Sequence, residues 1–164
     1  PSGSIGEVLV RGPTLMRCYW ANESATRAAL ADGWLHTGDA GYLDDQGWLF
    51  LLDRVQDMII SGGENIYPAE VENAIAGHPG VAEVAVFGVP DERWGEAVKA
   101  VVVPRDGARP DLESLRTHAA KRIASYKLPA TVDFTDALPR NASGKILRRA
   151  LREPYWTGRN RRIS

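Results

Sequence analysis

The feature that most limits how this chain can fold is a change of pattern near Arg54 to Asp57. Before that point, candidate strands outnumber anything available to cover them. Glu7 to Arg11 (EVLVR) predicts a short strand closed by Gly12-Pro13. Asn22 is a candidate N-cap for a helix over Glu23 to Leu30. A hairpin follows, Ala40 to Leu43 and Trp48 to Leu52, around the turn Asp44-Asp45-Gln46-Gly47. So few elements with apolar faces read as the edge of a larger domain.

From Met58 the pattern describes something able to stand alone. Pro68 suits the first turn of a helix whose apolar stripe is Val71, Ala74 and Ile75, stopped at Gly77. Two β-rich runs come next, Ala82 to Gly88 and Ala97 to Val103, separated by the turn-rich VPDERWGE. Asp111 can cap a helix carrying Leu112, Leu115, Ala119 and Ile123 on one face, and Ala130 to Phe134 is a third strand candidate. Ser143 is the expected cap of a last helix bearing Leu147, Ala150 and Leu151, with Pro154 as its end. Alternating strands and helices predict a small α+β or α/β domain, a mixed sheet with flanking helices.

Bulk properties exclude several function classes. The 164 residues suit one ordinary domain, or a small domain plus part of another, and 44% hydrophobic with 25% charged residues is a globular balance. A net charge of −1 gives no global field for nucleic acid or an anionic membrane. Cys18 is the only cysteine, so no disulfide framework is possible and a reducing cytoplasm is expected. No apolar run reaches membrane-span length. The opening PSGSIGEVLV has neither an initiator methionine nor a signal-peptide pattern, and we expect a fragment of a longer protein. From Arg140 onward Glu153 is the only acid; Arg159, Arg161 and Arg162 read as a solvated basic tail.

Three groups of residues can carry chemistry. Asp39 and Arg54 flank the predicted hairpin, and antiparallel strands about 5 Å apart bring them together at its open end. A carboxylate accepting from two vicinal hydroxyls beside a donating guanidinium suits a ribose; on pairing alone, a surface salt bridge is the simpler reading. Gly62-Gly63 allows backbone to approach a ligand closely, or simply makes a hairpin turn; the spacing is not a dinucleotide fingerprint. Ser143-Gly144-Lys145 lacks the earlier glycine of a phosphate-binding P-loop and has Ile146 where Ser or Thr is required. His36, His78 and His118 have neither metal-ligand spacing nor a nucleophile partner, so no metal site or catalytic role is assigned to them.

In order, GWLHTGD (Gly33 to Asp39), DRVQDMIISGGENIYPAEVE (Asp53 to Glu72) and PRNASGKILRR (Pro139 to Arg149) resemble the C-terminal part of the acyl-adenylate-forming enzymes. That superfamily comprises acyl-CoA synthetases, peptide-synthetase adenylation domains and luciferases, and the resemblance runs from about Gly6 to Arg152. It implies residues 1–53 as the edge of a large AMP-binding domain, 54–57 as a hinge, 58–152 as a small mobile domain and 153–164 as a tail. Asp39 and Arg54 would bind the ribose of ATP. Lys145, at the mouth of a short basic helix, would be the catalytic lysine between the substrate carboxylate and the α-phosphate, helped by the helix N-terminus. Gly62 and Gly63 would line the pantetheine tunnel of CoA; Trp94 and Tyr126 would line its channel, or be core. Gln56 stands at the hinge, where the family usually has Asp or Lys.

The implied reaction is carboxylate plus ATP to acyl-AMP and pyrophosphate, then CoA to acyl-CoA and AMP, with Mg2+ accompanying ATP. Fatty or aromatic acids are the expected substrates, and the fragment alone is expected to be inactive. The motif around Lys145 also resembles a lysine-acetylation site, which implies an acetyltransferase and a deacetylase as partners. Two other readings stay open: a peptide-synthetase adenylation domain that loads a carrier protein, and a non-catalytic α/β interaction module.

Overall fold

In the computed structural model, which describes residues 2–159, the chain divides after Gln56 into two compact units. The first contains β1 (Gly6–Val10), α1 (Glu23–Ala29), β2 (Leu30–Ala31), β3 (Trp34–Leu43) and β4 (Leu49–Arg54). β1, β2 and β4 all pair antiparallel with β3. Asn22 caps α1 through its Oδ1, which accepts from the Ala25 amide at 3.0 Å. The β3–β4 turn is held by Asp44, whose Oδ1 accepts from the Gln46 and Trp48 amides at 2.9 and 2.8 Å. Among the described residues of this unit only Ala40 and Gly41 are buried.

The second unit holds β5 (Ile59–Ser61), β6 (Glu64–Ile66), α2 (Pro68–Ala76), β7 (Val81–Asp91), β8 (Gly95–Pro104), α3 (Leu112–Ala119), β9 (Thr131–Phe134) and α4 (Arg148–Trp156). Its five-stranded sheet runs β6-β5-β8-β7, with β9 parallel to β8 and the other pairings antiparallel. The sheet is therefore mixed, as the sequence pattern predicts. Period-two alternation sends Val84, Val86, Val98, Ala100 and Val102 into one core with Val71, Ile75 and Leu115 of α2 and α3. The intervening Ala85, Phe87 and Val101 join Leu138, Ile146 and Leu151 in a second cluster. Each fully buried aliphatic here contributes roughly 1.5–3 kcal/mol. Asp111 and Ser114 form a capping box at the start of α3, and Ile123 packs on the core from beyond the end of that helix.

Several expectations need correction. Most of VPDERWGE is strand, because β7 and β8 continue to Asp91 and from Gly95, leaving only Glu92 to Trp94 as their turn. β5 and β6 flank Gly62-Gly63 and are too short to show a period. Pro154 does not end the last helix but lies inside α4. It removes one amide from the helical ladder, and side chains beyond it hold the final turn instead. The Tyr155 hydroxyl donates to Asp133 Oδ2 at 2.7 Å and Trp156 Nε1 donates to the Gly88 carbonyl at 3.0 Å. Part of the expected tail is thus helical; Arg161 and Arg162 lie outside the described residues. Among the described residues no helix is long and apolar enough to cross a membrane.

β7 is a terminal strand of its sheet, and two of its outer backbone groups are engaged by side chains. The Val86 amide donates to Glu72 Oε1 at 2.9 Å, and the Gly88 carbonyl takes the Trp156 indole bond just described. On the same sheet Lys99 is buried, its Nζ 2.9 Å from Asp133 Oδ1 and 5.0 Å from the centre of the Tyr155 ring. The hydrogen bonds from Lys99 and then from Tyr155 hold the Asp133 carboxyl below the usual aspartate range.

Candidate active site

In the first unit the strand register places Asp39 directly opposite Arg54. Arg54 Nε lies 3.0 Å from Asp39 Oδ1, and its Nη1 donates to the Thr37 carbonyl at 2.9 Å. Both side chains keep access to solvent, 32% for Asp39 and 53% for Arg54, so the pair is worth little to stability and is open to a ligand. The segment Thr37-Gly38-Asp39 is fixed from below. The Thr37 hydroxyl donates to the Val8 carbonyl at 2.8 Å and accepts from the Asp39 amide at 3.0 Å. Glu7 accepts from the Gly38 amide at 3.0 Å and sits 2.9 Å from His36 Nδ1. That His36 hydrogen bond is the main reason the Glu7 carboxyl titrates below its usual value. Glu7 carries no sequence signal of this duty; only its register opposite Ala40 brings it here.

In the second unit Gly62 and Gly63 form the two-residue turn between β5 and β6, with Ser61 paired to Glu64. Their φ values of +60° and +86° are the left-handed pair that a tight hairpin turn requires. The close approach falls on Gly62 and not on Gly63. A Cβ at Gly62 would lie 2.8 Å from Trp94 Cε3, whereas one at Gly63 would meet nothing within 4 Å. The Gly62 amide donates to the Trp94 carbonyl at 2.9 Å, and Asp91 Oδ1 accepts from the Arg93 and Trp94 amides. Arg93 stacks over the Trp94 ring at 4.5 Å.

A cavity of about 410 Å³ opens beside this turn, lined by Ser61, Gly62, Glu64, Asp91, Trp94 and Tyr126 among others. Trp94 is 49% exposed and Tyr126 50%, so neither is core; both line this cavity. Gly63 and Lys145 are not among the lining residues.

Lys145 is exposed, and it does not sit at a helix N-terminus; α4 begins only at Arg148, and Ser143 does not cap it. The reason lies in Asn141. Its Oδ1 accepts from both the Ser143 and Lys145 amides, at 3.0 and 2.9 Å, and its own amide donates to the Lys145 carbonyl at 3.0 Å. With Arg140 bridged to Ile146 and Gly144 at φ +78°, the segment closes into a tight loop. Arg140 clamps it, donating to the Gly144 carbonyl at 2.6 Å and to Glu83 Oε2 at 2.7 Å. The positive potential of a helix end therefore plays no part at Lys145.

Gln56 is the middle residue of a 3-10 turn, Val55–Asp57, and the last residue of the first unit. The structure thus joins Asp39 with Arg54, and Gly62 with Trp94 and Tyr126. Among the described residues no group of three or more His, Cys, Asp or Glu side chains is arranged to hold a metal ion.

Residues 70–145 match the AMP-binding enzyme C-terminal domain. The chain is 51% identical over its whole length to a fatty acid–[acyl-carrier-protein] ligase, ScoC, of Streptomyces coeruleorubidus, of which it covers 32%. It is 53% identical over 94% of its length to a feruloyl-CoA synthase of Amycolatopsis, again covering 32%. The o-succinylbenzoate CoA synthetase MenE of Bacillus subtilis, solved with its acyl-adenylate intermediate, superposes with a TM-score of 0.86 at 47% identity, over 92% of this chain and 31% of that one. This chain spans about a third of the length of these relatives. It belongs to the AMP-binding acid–CoA ligase family, and it corresponds to that family's C-terminal portion.

Proposed function

We propose that these residues serve an ATP-dependent ligase that joins a fatty or aromatic carboxylic acid to CoA in the cytoplasm. The observation that carries this reading is the cross-strand pair Asp39–Arg54, a carboxylate and a guanidinium fixed side by side and open to solvent. Asp39 accepts from the ribose hydroxyls of ATP while Arg54 donates to the same sugar. A carboxylate oxygen attacks the α-phosphorus and pyrophosphate leaves. Lys145, held out on its Asn141-braced loop, offsets the repulsion between the two anions as they meet. The CoA thiolate then attacks the acyl carbonyl and AMP leaves, with pantetheine entering past Gly62, Trp94 and Tyr126. Gln56 is the pivot about which the second unit turns between the two steps, and Gly63 shapes the turn that meets the thiol. Magnesium, when bound with ATP, would neutralise phosphate charge.

Pyrophosphate exchange and thioester formation by the full-length protein test the assignment. Lys145→Ala should lower carboxylate-dependent exchange by about 100- to 1,000-fold. It should spare thioester formation from supplied acyl-AMP; equal loss of both steps would remove Lys145 from its role. Acetylation of Lys145 by a lysine acetyltransferase, reversed by a deacetylase, should depress the same step, because it removes the charge. A second reading is favoured by the similarity to the carrier-protein ligase: the acceptor is a carrier-protein thiol. Offering free CoA and a holo carrier protein side by side separates the two.

A further inference from the structure

We propose that Arg148 is a positioning residue for acyl-adenylate formation: an ion-pair network of Glu72, Arg148, Asp57 and Arg152 ties the Lys145 loop to the residue next to the hinge. The inference rests on the role given above to Lys145. Arg148 forks onto Glu72, with Nε to Oε1 at 3.0 Å and Nη2 to Oε2 at 2.6 Å. Its Nη1 lies 3.8 Å from Asp57 Oδ2, and Arg152 Nη1 reaches Asp57 Oδ1 at 3.4 Å. Two carboxylates and two guanidiniums balance in charge. All four side chains are largely withdrawn from water, between 15% and 25% exposed, so solvent and salt screen them less than a surface pair.

The placement of the four gives the network its meaning. Asp57 follows Gln56, Glu72 lies on α2 with Oε1 also accepting from the Val86 amide, and both arginines lie on α4. The Lys145 loop runs into α4 with only Ile146 and Leu147 between, and the Leu147 amide is fastened to the Pro139 carbonyl at 2.8 Å. The bonds of Asn141 set the loop's shape but are internal to it. Its attachment to the rest of the unit comes from Arg140–Glu83, whose side chains are 42% and 41% exposed, from Ile146 in the second core cluster, and from α4. A turn at the hinge therefore reaches Lys145 through Asp57 and the two arginines. Misplacing a reacting group by about 1 Å can cost about 100-fold in rate.

The test uses the full-length protein with Arg148→Gln, Arg148→Lys and Lys145→Ala, singly and combined, alongside thermal melts. Arg148→Gln should lower kcat for pyrophosphate exchange by about 10- to 100-fold, with KM for ATP little changed and thioester formation from acyl-AMP spared. Arg148→Lys, which keeps the charge but loses the fork, should recover part of that loss. In the Lys145→Ala background Arg148→Gln should add nothing, because the residue acts through that lysine. Additive losses, or equal losses in both half-reactions, would overturn the proposal. If Arg148→Gln does not fold, Arg148→Lys decides alone: exchange must fall severalfold more than thioester formation, and wild-type exchange refutes the linkage. Intact exchange in Lys145→Ala itself would instead remove the reading on which the linkage rests.

Discussion

The two units use the same alternating strands to opposite ends. Residues 57–159 bury Ile59, Ile66, Val71, Ile75, Phe87 and Leu115 almost completely, on both faces of one sheet. Residues 2–56 leave Trp20 and Trp48, in turns, and Leu51, on β4, at 95%, 67% and 62% exposure. Alternation alone therefore does not make a core. Helices α2, α3 and α4 give the second sheet a partner layer, and the first unit has only the seven-residue α1.

Cutting the chain at the boundary should break the comparison most visibly. Residues 57–159 expressed alone should melt cooperatively, whereas residues 1–56 should bind a hydrophobic dye and show no transition. A cooperative melt of the shorter piece would mean that its exposed apolar side chains are not in deficit. Single substitutions sharpen the contrast. Ile75→Ala should cost about 2–5 kcal/mol in urea unfolding, and Leu51→Ala should stay within about 0.5 kcal/mol. Similar values for the two would erase the distinction between core and uncovered face.

Gly62→Ala should act next, and locally. The new methyl meets Trp94 Cε3 at 2.8 Å on a backbone at φ +60°, so the indole must move. Five tryptophans dilute the signal, so the variant is best read against Trp94→Phe by difference fluorescence. Gly63→Ala should leave the Trp94 emission in place, with its penalty confined to the strained turn.

The smallest expected effect is a pH dependence confined to the second unit. His118 Nε2 is buried without a hydrogen-bond partner, 5.3 Å from the His78 ring centre to centre. Burial, then the neighbouring His78, Lys121 and Arg122, hold its pKa below the ordinary histidine value. Asp111 and Glu113 line the same hollow. A proton thus binds the folded state less readily than the unfolded one. Stability is complete above about pH 6.5 and declines as the pH falls from there toward the lowered folded-state value. His118→Gln should flatten that decline in urea midpoints, and an unchanged slope would clear His118 of it.

Much of the second unit was legible because its signals are local. Asp111 as a cap, Pro68 with Gly77 and the β-rich run from Ala82 each act within a few residues. The Asp39–Arg54 pairing was legible too, because hairpin ends must meet. The neighbourhood of Lys145 is misleading in sequence for a physical reason. Ser143-Gly144 looks like a cap, but the Asn141 carboxamide takes the amides a helix start would have offered. Glu7 and the Arg148 network left no trace in the sequence. Their partners stand 29 to 95 residues away, and only the folded sheets bring them together.

The terminal strand β7 has a consequence of another kind. Eleven residues, mostly apolar, at the rim of a sheet are a template on which another chain could add a strand. Here Glu72 occupies the Val86 amide and Trp156 the Gly88 carbonyl, so the rim is closed by two side chains, one of them beyond a proline near the end of the described chain. α4 is therefore a safeguard against self-association as well as the support for Lys145. A chain cut just before Arg148 would keep its larger core yet bare the Gly88 carbonyl, and would leave Glu72 without the arginine that orients it. Such a chain would fail by clumping rather than by melting.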